Sequence, residues 1–152
     1  MRADEHSRLR RVLVVDDDHA LLTAITDGLE LMGDYEVVAA SNGTMGLEWF
    51  VALAPVCVVV DVRMPGLNGY QFVRALRGDP MTAQSPIIML SALVQDHEQL
   101  AGLLTGADAY LTKPVKIADL VQTIDRAIGM TTEERRQRDR RLLGMVPEGE
   151  GA

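Results

Sequence analysis

A chain of 152 residues that is 47% hydrophobic and 24% charged can bury one full core, which predicts a single ordinary globular domain. A formal charge of −7 argues against nucleic acid as a direct ligand, because phosphate backbones are bound through basic surfaces. The longest apolar runs, of four or five residues, fall far below the roughly 20 that cross a bilayer, so no membrane insertion is expected.

Residues 1–10, MRADEHSRLR, read as a polar extension with no apolar stretch or small-residue cleavage site, which predicts a cytoplasmic location. The run VLVV over 12–15 is β-branched and does not alternate, as expected of a strand buried on both faces. Leu21, Leu22, Ile25, Leu29 and Met32 then form the stripe of an amphipathic helix. A weaker strand follows over Tyr35 to Ala39, and a helical segment over 44–54. VCVVV over 56–60 is a second buried strand and holds Cys57, the sole cysteine, which reads as a small core residue. A helix over 69–78, the strand IIML over 87–90, a helix over 94–105 and a weak strand over Ala109 to Thr112 come next. The last stripe is Ile117, Leu120, Val121, Ile124 and Ile128.

Gly33, Gly43, Gly78, Gly106 and Gly129 fall near the breaks, and the two weaker strands suit edge positions. Five strand–helix units of this kind predict an α/β domain over 11–129: a doubly wound five-stranded parallel sheet with helices on both faces. Residues 130–152 carry five arginines against five acidic residues. Thr131 with Glu134 fits a capping box, so a short polar helix over 132–143 and then a disordered end are expected.

In a doubly wound sheet, ligands bind beyond the carboxyl ends of the strands. Asp16, Asp17 and Asp18 follow the first strand, Asp61 the third, Ser91 the fourth, and Lys113 and Pro114 the fifth. Each has an ordinary alternative: Asp18 and Ser91 as helix caps, Asp61 as the start of a turn before Met64-Pro65-Gly66, Lys113 as a solvated cation. Taken together they converge on one rim. Carboxylates meeting there repel one another, so the site must take up protons or hold a cation. An all-oxygen set suits a hard ion, Mg²⁺ in preference to Zn²⁺. His6, His19 and His97 show no metal-ligand spacing and are expected in solvent. Only two of the 15 basic residues are lysines, Lys113 and Lys116, and a compact ammonium at the rim suits a phosphate oxygen.

The segments VLVVDDD, VCVVVDVRMPGLNGY, PIIMLSA and GADAYLTKPV resemble, in order and approximate spacing, the four signatures of the receiver domains of bacterial response regulators. The resemblance covers residues 11 to 128 and implies a flavodoxin-like sheet of order 2-1-3-4-5. It implies further that Asp61 is the phosphoacceptor, that Asp17 ligates Mg²⁺ directly with Asp61 and the backbone carbonyl of Arg63, and that Asp16 assists. Ser91 and Lys113 would contact phosphoryl oxygens, Ser91 and Tyr110 would act as the switch pair, and the Lys113-Pro114 bond would be cis. Asn68 departs from the Asp that many members carry. The implied partners are a sensor histidine kinase or histidine phosphotransfer protein and a downstream target protein. A homodimer strengthened by phosphorylation would form through segment 94–105, the fifth strand and the last helix. The implied role is that of a phosphoacceptor signalling protein and not of an enzyme that turns over an external substrate.

Three other readings differ in what they require. A phosphorelay intermediate would pass the phosphate on to a histidine phosphotransfer protein, and an interaction module would work without phosphorylation. A haloacid-dehalogenase-type phosphatase needs an acid two residues beyond its nucleophile. Beyond Asp61 that position is Arg63; Asp16 and Asp18 have the spacing, but Ala20 stands where that family places a different residue type.

Overall fold

The computed structural model describes residues 10–92 and 106–130, together with 133, 134 and 137. The strands are β1 (Arg11–Val15), β2 (Glu36–Ala40), β3 (Cys57–Asp61), β4 (Ile87–Ser91) and β5 (Ala109–Thr112). The helices among the described residues are α1 (His19–Met32), α2 (Gly43–Leu53), α3 (Gly69–Arg77) and α4 (Ile117–Gly129). All ladders are parallel, in the order β2-β1-β3-β4-β5, so the two weakly apolar strands are the edges and the three continuous apolar runs lie inside.

Strand periodicity divides the core. Leu13, Val15, Val58, Val60, Ile87 and Met89 face Phe50 of α2 and Phe72, Val73 and Leu76 of α3. Their neighbours Val12, Val14, Cys57, Val59, Ile88 and Leu90 face Leu22, Ile25 and Leu29 of α1 and Leu120, Ile124 and Ala127 of α4. Helices thus cover both faces, and each fully buried Val, Leu or Ile contributes about 1.5–3 kcal/mol of transfer free energy.

Local chemistry sets the helix starts. Asp18, Asn42 and Asn68 are N-caps whose side chains accept from the backbone of Leu21, Met45 and Gln71, and Gln71 returns the bond to Asn68 as a capping box. Several bounds move by one residue from those read in the sequence. The second strand runs 36–40, and Tyr35 just before it packs into the core with Leu29 of α1. The third runs 57–61, which makes Asp61 its final residue, and the helix expected over 44–54 runs 43–53 because Asn42 caps it. Met32 is 56% exposed, so the α1 stripe ends at Leu29. Cys57 is buried in the core as a thiol, and His19 is exposed. The helix expected over 94–105, His6, His97 and the disordered end lie outside the described residues. So does most of the helix expected over 132–143, of which Glu133, Glu134 and Gln137 are described and helical.

Candidate functional site

Parallel register carries the acidic and basic residues to one rim. Val15 pairs with Val60, Asp61 with Leu90, and Ser91 with Thr112, so Asp16, Asp61, Ser91 and Lys113 all fall at the carboxyl ends of their strands. The ladders reach just past the strands. The backbone N–H of Asp16 donates to Ala40 O at 3.1 Å, that of Val62 to Leu90 O at 2.8 Å, and that of Lys113 to Ser91 O at 2.6 Å. These bonds fix the backbone from which each side chain projects.

Carboxylate oxygens of Asp16, Asp17 and Asp61 lie within 4.8 Å of one another, with Asp16 and Asp61 buried and Asp17 exposed. Asp18 is not part of the group. It caps α1, while Asp16 Oδ1 accepts from the Asp18 N–H at 3.0 Å. Lys113 Nζ reaches Asp61 Oδ1 at 2.8 Å and Asp16 Oδ2 at 3.1 Å. Among the sequence-predicted residues, Lys113 is therefore an ion-pair partner and not a solvated cation.

Burial, together with the charges of Asp16 and Asp17, raises the Asp61 carboxyl from 3.8 to about 6, against the opposing hydrogen bond and charge of Lys113. Burial lowers the Lys113 ammonium, but its bonds and charge pairing with Asp61 and Asp16 outweigh it, and the net shift is upward. The two shifts differ in origin: burial dominates at Asp61, whereas pairing with two carboxylates dominates at Lys113.

Arg63 is exposed two residues beyond Asp61, in a loop that turns through Gly66 at φ +75° and ends at the Asn68 cap. Gly69 closes that loop. Its N–H donates to Val62 O at 2.9 Å, and a β-carbon there would stand 2.4 Å from Asp61 O and 2.8 Å from Val62 Cα. Sequence reading missed this residue, since a glycine opening a helix looks like a weak cap until the backbone behind it is known. Ser91 is buried, and Tyr110 packs against the Val58–Phe72 side of the core with its hydroxyl out of solvent. The Lys113-Pro114 bond is cis. No helix among the described residues is long and apolar enough to cross a membrane.

A 2-1-3-4-5 parallel sheet with an aspartate trio and an ion-paired lysine at its carboxyl edge defines a flavodoxin-like α/β protein with an acidic, cation-seeking rim. The family model described as response regulator receiver domain matches residues 12–125, and the chain belongs to that family. Receiver domains are signalling domains of two-component systems. The chain is 35% identical over 114 residues to the DNA-binding dual master transcriptional regulator RpaA of Synechocystis sp., which covers 75% of this chain and 47% of RpaA. It spans about half the length of this and several other curated relatives. It is 36% identical over 120 residues to protein PilH of Pseudomonas aeruginosa, covering 79% of this chain and 98% of PilH. A solved response regulator receiver domain protein from Clostridium thermocellum superposes with a TM-score of 0.73 at 33% identity, covering 79% of this chain and 94% of that one.

Proposed function

We propose that Asp61 accepts a phosphoryl group from a sensor histidine kinase or histidine phosphotransfer protein in a Mg²⁺-dependent reaction, and that the resulting acyl phosphate switches the binding of a downstream protein. The observation that carries this reading is the junction of Asp61 with Lys113 at 2.8 Å inside the Asp16–Asp17–Asp61 group. The donor set fits a hard divalent ion: it is all oxygen, clustered within 4.8 Å, and holds more negative charge than Lys113 offsets. Asp17, Asp61 and the Arg63 carbonyl would hold Mg²⁺ with Asp16 assisting, and the ion would supply charge neutralisation on the transferring oxygens.

The chain's own residues account for the rest. An Asp61 carboxylate oxygen attacks phosphorus in line; the bond from phosphorus to the donor imidazole breaks, and the imidazole leaves with the electron pair and takes up a proton. Lys113 offers its ammonium to the phosphoryl oxygens as charge develops on them. Ser91 gains an acceptor for its hydroxyl, and the Tyr110 ring on the neighbouring strand couples that movement to the face of β5 and α4. Partner binding, or a homodimer, tightens through that face.

The test is incubation with Mg²⁺ and acetyl phosphate, read by intact mass. One phosphoryl group on the wild type and none on Asp61→Asn is expected. An unlabelled wild type, or equal labelling of the variant, overturns the reading.

A further inference from the structure

Arg77 closes α3 and lies on no part of the acidic rim, yet its guanidinium gathers two separate stretches of chain, 83–85 and 106–108. Nε donates to Gly106 O at 2.8 Å, Nη1 to Ala83 O at 3.0 Å and to Ser85 O at 2.6 Å, and Nη2 to Asp108 Oδ2 at 3.1 Å. The Asp108 side chain is fully buried, and its Oδ2 also accepts from the N–H of Ile87, the first residue of β4, at 2.7 Å. The Asp108 N–H in turn donates to Ile87 O at 2.8 Å. Gly106 sits at φ +109°, and a β-carbon on it would stand 3.1 Å from Arg77 Cγ, so the glycine permits both the turn and the passage of the arginine stem.

These contacts meet where β4 and β5 begin. Among the described strands β5 pairs with β4 alone, through the four residue pairs from Ile88 with Ala109 to Ser91 with Thr112. Lys113 follows directly and bonds to Ser91 O. Position along an edge strand held on one side only depends on where its first residue is pinned, and a slip of one residue would turn every side chain to the opposite face. The carboxylates stand at the carboxyl ends of β1 and β3; the β1 ladders do not involve the clamp, and β3 meets it only at the far end of the strand, where Val58 pairs with Ile87.

We propose that the Arg77–Asp108 clamp is a positioning device for the acceptor site. It fixes the start of β5 on the start of β4 and thereby sets Lys113 and Ser91 against Asp61 from about 16 Å away, five residues at about 3.3 Å each. Arg77 acts through Lys113 and is a positioning residue. Only the labelling arm of its test rests on the reading of Asp61 as phosphoacceptor.

The variants are Arg77→Lys, which keeps the charge but not the planar fork, and Asp108→Asn, which keeps the shape but not the charge. Amide hydrogen exchange is the readout independent of phosphorylation. Lys113 and Leu111 should exchange about tenfold faster in both variants, while the Asp16 amide and the β1 amides keep wild-type protection. Mg²⁺ affinity by calorimetry should stay at the wild-type value, because its ligands lie outside the clamp. Labelling by acetyl phosphate should slow by about tenfold in Arg77→Lys, yet less than about twofold when the same change is made in a Lys113→Ala background. Unchanged Lys113 exchange in both variants overturns the proposal, as does equal acceleration across β1, which would mean general loosening. A labelling effect that multiplies in full on Lys113→Ala overturns it as well. A wild type that takes no label removes the proposed function, and the exchange data still decide the clamp.

Discussion

Lys113 Nζ stands 2.8 Å from Asp61 Oδ1, on the carboxylate the proposed chemistry requires to be a free nucleophile. The same ammonium also holds Asp16 at 3.1 Å, so one lysine joins strands β1, β3 and β5 at the rim. A bound divalent cation and Lys113 draw on the same oxygens.

Lys113→Ala is therefore expected to separate two properties. Removing the ammonium takes away charge stabilisation during transfer and should slow labelling by about 10²-fold. Mg²⁺ binding should be as tight as in the wild type or several-fold tighter, since a competing positive charge has gone. Calorimetry beside a labelling time course checks both. Lys113→Arg should not restore the rate, because a planar guanidinium cannot occupy the place of a compact ammonium. Wild-type labelling in that variant would show that any cation serves.

Asp61 also gives a pH-dependent stability. Its carboxyl is raised from 3.8 to about 6 by burial and by Asp16 and Asp17, so between those values the folded state binds more protons than the unfolded chain. Stability of the metal-free protein accordingly falls as pH rises from about 4 to about 6, and at pH 7 the ionised Asp61 is a net cost. Asp61→Asn should be more stable than wild type at pH 7 without divalent ions, by about 1–3 kcal/mol, reduced because Lys113 loses a partner. The difference should shrink toward pH 4, and Mg²⁺ should raise the wild-type Tm and leave the variant's nearly unchanged. Denaturant titrations at pH 4.5 and 7 in chelator decide it; a variant less stable at pH 7 would show that the ion pair outweighs the burial.

Much of this is legible in the chain. Uninterrupted β-branched runs mark β1, β3 and β4 as central, and the weaker Tyr35 and Ala109 segments as edges, because burial on both faces leaves no room for alternation. Asp16, Asp17, Asp61, Ser91 and Lys113 stand out as the polar residues at the ends of apolar strands, and parallel register delivers those ends to one rim. The duties of Arg77, Asp108 and Gly69 are not legible. Arg77 and Asp108 are 31 residues apart with no local periodicity to link them, and the demand on Gly69 comes from the Asp61 backbone lying behind it.

Gly69→Ala tests that demand. The added carbon would meet Asp61 O and Val62 Cα, both backbone atoms that no rotamer change can move aside. Overpacking against rigid backbone costs about 1–3 kcal/mol, and here the displacement falls on Asp61 itself. Lower stability together with slower labelling is expected. Gly129→Ala, where nothing lies within 4 Å of the added carbon, is the matched control and should change neither property. Wild-type stability in Gly69→Ala would mean that the loop yields freely.

The lifetime of the phosphorylated form depends on how a water reaches phosphorus in line with its bond to Asp61. The sequence suggests two positions for control of that approach: Arg63, two beyond the acceptor, and Leu93, two beyond Ser91, which lies outside the described residues. Arg63 is exposed and lines an open cavity of about 440 Å³ with Val62, Met64, Pro65, Asn68 and Tyr70, so water has access to the loop. Access alone does not orient a nucleophile. A guanidinium donates hydrogen bonds and accepts none, and leucine does neither, so neither residue can take a proton from the attacking water. A positioned polar group contributes about 10²-fold or more to such a step, and slow loss of phosphate is the expected result of its absence. Decay after removal of the donor should accelerate by about tenfold or more when Arg63→Asn is combined with Leu93→Glu, which places acceptors at both positions. If the double variant loses phosphate no faster than the wild type, these two positions do not govern the water.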